Sequence, residues 1–284
     1  VAWLAARTSK SAVTQLMRIS WRTVGAIITR VMADIDAVAD RLAGLARIGI
    51  DEVHYRRGSR YLVVVTDHDT GRLVWAAPGR DRATLRGFVD LLGPERSHRL
   101  THVTADGADW IADVVAQRAP RATLCADPFH IVSWAQATLD ELRRKAWNTA
   151  RGKPGGSLPG QRSGRKVLRS QGQAKRWKNA RWALWKNPDT LTLEQRSTLE
   201  WIALNDPRLH KAYLIKEGLR YVFTLRGRDA LDALDRWRGW AWRSKIPEIV
   251  ALQRRIANHQ TTITATLTHG LSNALTESVN TKTG

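Results

Sequence analysis

Apolar positions recur along this chain with two different periods, and the change of period divides it. Up to about position 45 the spacing is helical. Val13, Leu16 and Met17 fall on one face of a helix over 11–18. Ser20 then precedes Val24, Ile27, Ile28 and Val31 at helical spacing, and its hydroxyl can accept from the free N–H groups of that first turn. Two short helices with a tight joint predict a helix-turn-helix, with Met17 or Arg18 where a turn glycine is usual. From 47 onward short apolar runs replace the helical pattern. Strands are predicted over 47–53, 61–66 and 73–76, with Asp69-Thr70-Gly71 as a hairpin turn. A helix from 81 or 82 to 92 carries Leu85, Phe88, Val89 and Leu92 on one face. A strand over 101–105, a helix over 110–118 and a strand over 122–126 follow. An antiparallel meander followed by two parallel crossovers predicts an α/β fold: a mixed five-stranded sheet with flanking helices. Beyond 127 the pattern is helical only, over 129–147, 162–186, 192–205, 207–223 and 229–258, with a Gly/Pro-rich loop at 152–160.

Length and composition leave this picture intact, but charge adds a partner. A chain of 284 residues can hold one large core or two domains. The formal net charge of +20 points to a polyanion. No apolar run approaches the length of a membrane span, and the N-terminus has no secretory cleavage pattern. The partner read from the sequence is therefore nucleic acid and no membrane. Between positions 143 and 186 there are fourteen Lys or Arg and no Asp or Glu, an unbroken sign that would neutralise phosphates and release counterions. Arg143, Arg144, Lys145, Lys175, Arg176, Lys178 and Arg181 are the DNA-binding candidates there, and Trp147, Trp177, Trp182 and Trp185 among them read as packing anchors. Trp21, Arg22 and Thr23, opening the second N-terminal helix, are the candidates nearest the bases. The single cysteine, Cys125, forms no disulfide within the chain and reads as a small buried hydrophobe in a reducing cytoplasm.

The candidate chemistry lies in carboxylates. Asp51 ends the run Ile48-Gly49-Ile50 and is followed by Glu52; Asp106 ends Val103-Thr104-Ala105. Asp109 and Asp127 compete with Asp106. Strand position favours Asp106, because Asp109 suits the start of the next helix, where a negative charge complements the dipole. Acids at the ends of two strands, joined by one on a late helix, can hold two divalent metals that stabilise the attacking and leaving oxygens of a phosphoryl transfer. All-oxygen ligands suit Mg²⁺, with Mn²⁺ as the alternative.

Four local patterns carry a family resemblance: Ile48-Gly49-Ile50-Asp51-Glu52; Val103-Thr104-Ala105-Asp106; Ala126-Asp127-Pro128-Phe129-His130-Ile131-Val132; and Ser272-Asn273 followed by Glu277 and Asn280. In this order they resemble the ISL-three family of bacterial insertion-sequence transposases, in the DD(E) superfamily with a ribonuclease-H-like core. The resemblance implies that Asp51, Asp106 and Glu277 are the catalytic, metal-holding acids. It implies that Asp127, His130, Asn273 and Asn280 support them. It implies a helix-turn-helix over 1–45, a ribonuclease-H-like core over 46–142, a basic helical insertion over 143–260, and the start of the final core helix over 261–284. The offset of 171 positions from Asp106 to Glu277 requires such an insertion. The function implied is metal-dependent cleavage and strand transfer at terminal inverted repeats, by a homo-oligomer on double-stranded DNA, in the bacterial cytoplasm at the nucleoid. The chain starts close to the first helices and stops seven residues past Glu277, which reads as truncation at both ends. The rival readings are a DNA-binding copy that inhibits transposition without catalysis, and a nuclease of the same fold.

Overall fold

A computed structural model of the chain describes residues 1–56, 60–150 and 171–272. The predicted loop at 152–160, and the sites Asn273, Glu277 and Asn280, lie outside the described residues. The chain divides into two compact units, Val1–Leu124 with Ser272–Gly284, and Cys125–Leu271. The helix after 127 buries its apolar face among the helices that follow it.

The first unit opens with helices α1 (Ala2–Ala5), α2 (Lys10–Met17) and α3 (Trp21–Val38). Ser9 and Ser20 cap α2 and α3, accepting from the Ala12 and Thr23 N–H groups. Arg18 closes α2 in the left-handed region, φ 52°, the conformation a turn glycine would take. Val13 and Val24 are fully buried, whereas Leu16 and Met17 are exposed, so only part of the predicted α2 face turns inward.

Strands β1 (Arg47–Arg56), β2 (Arg60–Asp67), β3 (Leu73–Pro78), β4 (His102–Ala105) and β5 (Thr123–Ala126) form one sheet in the order β3-β2-β1-β4-β5. The β1–β2 and β2–β3 pairs are antiparallel, and β1–β4 is parallel. Val63, Val64 and Val65 are all buried, as a β-branched run in an interior strand should be. Helix α4 (Arg82–Leu92) starts at Asp81, whose carboxylate accepts from the Thr84 N–H, and buries Leu85, Phe88 and Leu92. The short α5 (Pro94–Ser97) leads to β4, and α6 (Asp109–Arg118) to β5, with Asp109 in the first turn of α6. Ile48, Ile50, Val103, Phe88 and Ile111 share one apolar core.

The second unit is helical: α7 (Pro128–Ala150), α8 (Gln171–Trp185), α9 (Leu193–Asn205), α10 (Pro207–Val222), α11 (Gly227–Arg243), α12 (Pro247–Asn258) and α13 (Gln260–His269). On α7, Ile131, Ala135, Leu139, Leu142 and Ala146 repeat every three or four residues and are buried. α10 buries seven of its 16 residues, Lys216 among them. The helix predicted over 229–258 is two helices. Lys245 adopts φ 57° and Pro247 opens α12, so the chain turns between them. Gly270 caps α13 at φ 68°, and that helix ends at His269.

Candidate active site

Asp51 lies in β1, opposite Val64 of β2, and is buried. The Glu52 N–H donates to its Oδ1 at 2.8 Å. Asp106 is the first residue past β4, where the chain turns; the Ala108 N–H is directed at both its carbonyl, 2.8 Å, and its Oδ1, 3.2 Å. The parallel ladder pairs Ile48 with Val103 and Gly49 with Thr104. Side chains alternate with period two, and neighbouring strands lie about 4.8 Å apart. Asp51 in β1 and Asp106 just past β4 each follow the last pair of this parallel ladder by two residues.

Glu52 adds a third carboxyl. Its side chain is only 6% exposed, and its Oε2 forms an ion pair with Arg80 Nε. Its Oε1 is buried with no hydrogen-bond partner among the described residues. Burial raises the Glu52 carboxyl above the usual carboxylate range, and the negative charge of Asp106 raises it further; Arg80 opposes both. Asp51 and Asp106 carry the hard oxygen donors that a divalent cation takes, whereas Glu52, the next residue along β1, turns to the opposite face of the sheet. Among the described residues no three acid, histidine or cysteine side chains converge as a complete metal site. The third acid of the resemblance, Glu277, is outside them.

Behind Asp106 the fold is held by a contact the sequence did not reveal. Thr104, fully buried, lies 2.7 Å from His68 Nε2 through its hydroxyl. Burial lowers the His68 pKa, as does nearby Arg47, while Asp69 and Asp67 act the other way. Asp67 shapes the hairpin beside it, accepting from the Asp69 N–H at 3.0 Å and the Thr70 hydroxyl at 2.6 Å.

Asp127 and His130 belong to the second unit. Asp127 is buried at the start of α7, with its Oδ2 3.9 Å from His130 Nε2. The preceding residue is fixed too: the Thr266 hydroxyl of α13 donates to the Ala126 carbonyl at 2.6 Å.

The basic candidates separate on inspection. Arg143 is 6% exposed; its Nε donates to Asp140 at 2.8 Å and its Nη1 to the Trp177 carbonyl at 3.3 Å. It is a packing residue and leaves the DNA-facing set. Arg144 pairs with Asp140, and Lys145 with Glu141 and Glu248. The sequence stretch has no acids, but its first turn meets acids from before it and from α12. Lys175, Arg176 and Lys178 are exposed on α8. Arg176 lies over the Trp201 ring at 4.5 Å and Arg181 over Trp185 at 3.8 Å. Trp177 is buried as an anchor, while Trp182 is 62% exposed. In the first unit Trp21 and Arg22 are exposed, with Lys10 Nζ 4.6 Å from the Trp21 ring, and the Thr23 hydroxyl is taken up by Ser20 at 2.8 Å. Cys125 is fully buried, and burial pushes its thiol up to about 11.

A mixed five-stranded sheet with flanking helices is consistent with the fold of a DDE-type transposase, and the family comparison agrees. A transposase family model, DDE type of the ISL3 group, matches residues 48–284, and the chain belongs to that family. Two Mycobacterium tuberculosis proteins named "Transposase for insertion sequence element IS1557" are each 56% identical to it over 288 residues, covering 99% of this chain and 64% of their own length. A Bordetella parapertussis "Transposase for insertion sequence element IS1001" is 26% identical over 235 residues, covering 82% of this chain and 54% of its own. The chain thus spans less than two thirds of the length of these relatives.

Proposed function

We propose that this chain carries the catalytic part of a DNA transposase that cleaves and joins DNA at the terminal inverted repeats of an insertion sequence. The observation that supports the reading is the adjacency of β1, which carries Asp51, and β4, which leads into Asp106, within the span that matches the transposase family. The strand order is that of a ribonuclease-H-like core, which supports the same reading. Asp51, Asp106 and Glu277 would hold two Mg²⁺ or Mn²⁺ ions. When bound, such a pair of ions activates the attacking oxygen and stabilises the leaving one. The chain's own residues prepare the centre. The Glu52 N–H fixes one Asp51 oxygen, the Ala108 N–H fixes one Asp106 oxygen, and the His68–Thr104 contact holds β4 in place.

The remaining surface supports a DNA partner. α2 and α3, joined by left-handed Arg18, would act as a helix-turn-helix presenting Trp21 and Arg22. Lys175, Arg176, Lys178 and Arg181 would track phosphates from α8. Asp127, His130, Asn273 and Asn280 remain candidates to support the acids. No helix among the described residues is long and apolar enough to cross a membrane. A cytoplasmic, nucleoid-associated protein acting as a homo-oligomer on the element ends completes the reading. The test is direct: the protein, a labelled duplex bearing the inverted repeat that flanks its coding sequence, and Mg²⁺ or EDTA. Strand cleavage at the repeat boundary with Mg²⁺ and none with EDTA is expected. Metal-independent cleavage, or none in either condition, contradicts the proposal.

A further inference from the structure

Two adjacent arginines of the second unit stand apart from the cations around them: we propose that the exposed face of α12 binds the phosphate backbone of duplex DNA through Arg254 and Arg255. The proposal rests on the DNA-cleaving reading above and adds a contact surface on a helix other than α8.

Cations on the neighbouring α7 and α10 meet acids. Arg144 pairs with Asp140, and Lys145 and Arg208 both pair with Glu248. Arg254 and Arg255 do not: among the described residues neither forms an ion pair or a hydrogen bond. Each lies over a tryptophan of another helix. The Arg255 guanidinium carbon is 3.8 Å from the centre of the Trp134 ring on α7, and that of Arg254 is 5.6 Å from the Trp242 ring on α11. Trp134 is itself anchored, packed on the helical core with its ring 5.1 Å from that of His259. α12 packs against both helices that supply the rings.

The sequence of α12 makes this face. Ile249, Leu252 and Ile256 are buried, while Ala251, Arg254, Arg255 and Asn258 are exposed, at the i, i+3, i+4, i+7 spacing of one side of a helix. The single acid of α12, Glu248, lies in its first turn and is taken up by Lys145 and Arg208. Ala251, one turn before the arginines, adds no bulk that would hold a DNA backbone away. A contact over a ring leaves the planar N–H donors of a guanidinium available to an anion, and a phosphate accepts two of them in parallel. Holding each side chain on a ring also reduces the freedom it loses on binding. A long side chain laid on an aromatic ring can instead serve only to shield apolar surface. The two accounts differ in what they predict. Shielding alone makes the arginines matter for stability and not for DNA, whereas phosphate contact makes them matter for the salt dependence of binding.

The experiment measures fluorescence anisotropy of a labelled duplex of arbitrary sequence, in EDTA, over a salt series, with urea unfolding of the same proteins. Arg254→Gln/Arg255→Gln removes both cations and keeps long polar side chains. The slope of log affinity against log salt should become shallower by about two units, one for each lost phosphate contact. Each single variant should lose about one unit, and these carry the test if the double variant loses its helical circular dichroism. The control Arg82→Gln/Arg118→Gln removes two cations from exposed ion pairs of the first unit and should keep the wild-type slope. A wild-type slope in the folded α12 variants, whether or not their urea midpoint falls, overturns the proposal and leaves the transposase reading standing. So does an equal flattening in the control, which assigns the effect to net charge. Absence of salt-dependent duplex binding by the wild-type protein overturns both.

Discussion

His68 stands on a buried hydroxyl, and the neutral imidazole is the form that suits it. Its folded pKa lies below the ordinary histidine value of about 6.5, first because of burial and then because of Arg47. The unfolded chain therefore binds a proton before the native state does. Stability is full above about pH 6.5 and falls as the pH drops towards the native pKa. Urea midpoints measured across this range should decline for the wild type, and more shallowly for His68→Gln; identical profiles would remove His68 from the account. Lys216 gives a second test. Its buried ammonium donates to the Leu184 carbonyl at 2.8 Å and pairs with Glu217. Lys216→Ala should cost about 1–3 kcal/mol, read from urea unfolding, by taking the donor from the Leu184 carbonyl while Glu217 keeps its pair with Arg220. Asp51 and Asp106 were legible in the sequence because an acid closing a short apolar run is a local pattern. His68–Thr104 was not, because its partners are 36 positions apart and neither residue type is rare in a loop or strand. Glu52 was visible beside Asp51, but nothing in the sequence joined it to Arg80.

At the scale of elements, strands and caps were legible, and helix breaks less so. The Leu85, Phe88 and Leu92 face of α4 and the order of the sheet follow from period and turn chemistry. The break between α11 and α12 was missed because the helical period continues through it. Pro247 was the signal, and the left-handed residue before it is a lysine. Lys245→Gly should raise stability by about 0.5–1 kcal/mol, since relief of left-handed strain is partly offset by glycine's backbone entropy. A lower urea midpoint for this variant would mean that the Lys245 side chain contributes more than its backbone strain costs. Gly79→Ala should act the other way, destabilising by about 1–3 kcal/mol, because its φ is positive and Thr84 occupies the space. The family's third acid was chosen by motif alone and lies outside the described residues.

Over the whole molecule, charge was legible in sum but not in place. The net charge of +20 indicates a polyanionic partner. The basic run in the second unit nonetheless loses Arg143 to packing and ties Lys145 to Glu141 and Glu248, acids that a count from 143 to 186 excludes. The exposed cations of α8 are the part that should meet DNA. Replacing Lys175, Arg176 and Lys178 with Ala should flatten the salt dependence of duplex binding by about one unit per lost contact, and an unchanged slope would place that face in solvent. The central claim concerns the two acids of the first unit, and one measurement addresses it: Mg²⁺-dependent cleavage of a terminal-repeat duplex by Asp51→Asn and Asp106→Asn, with DNA affinity measured in parallel. Each substitution keeps the shape and removes one metal-holding charge. Cleavage should fall by roughly a thousandfold or more, about 4 kcal/mol of transition-state stabilisation, while affinity stays within a few-fold of wild type. Cleavage at the wild-type rate by either variant would contradict the account.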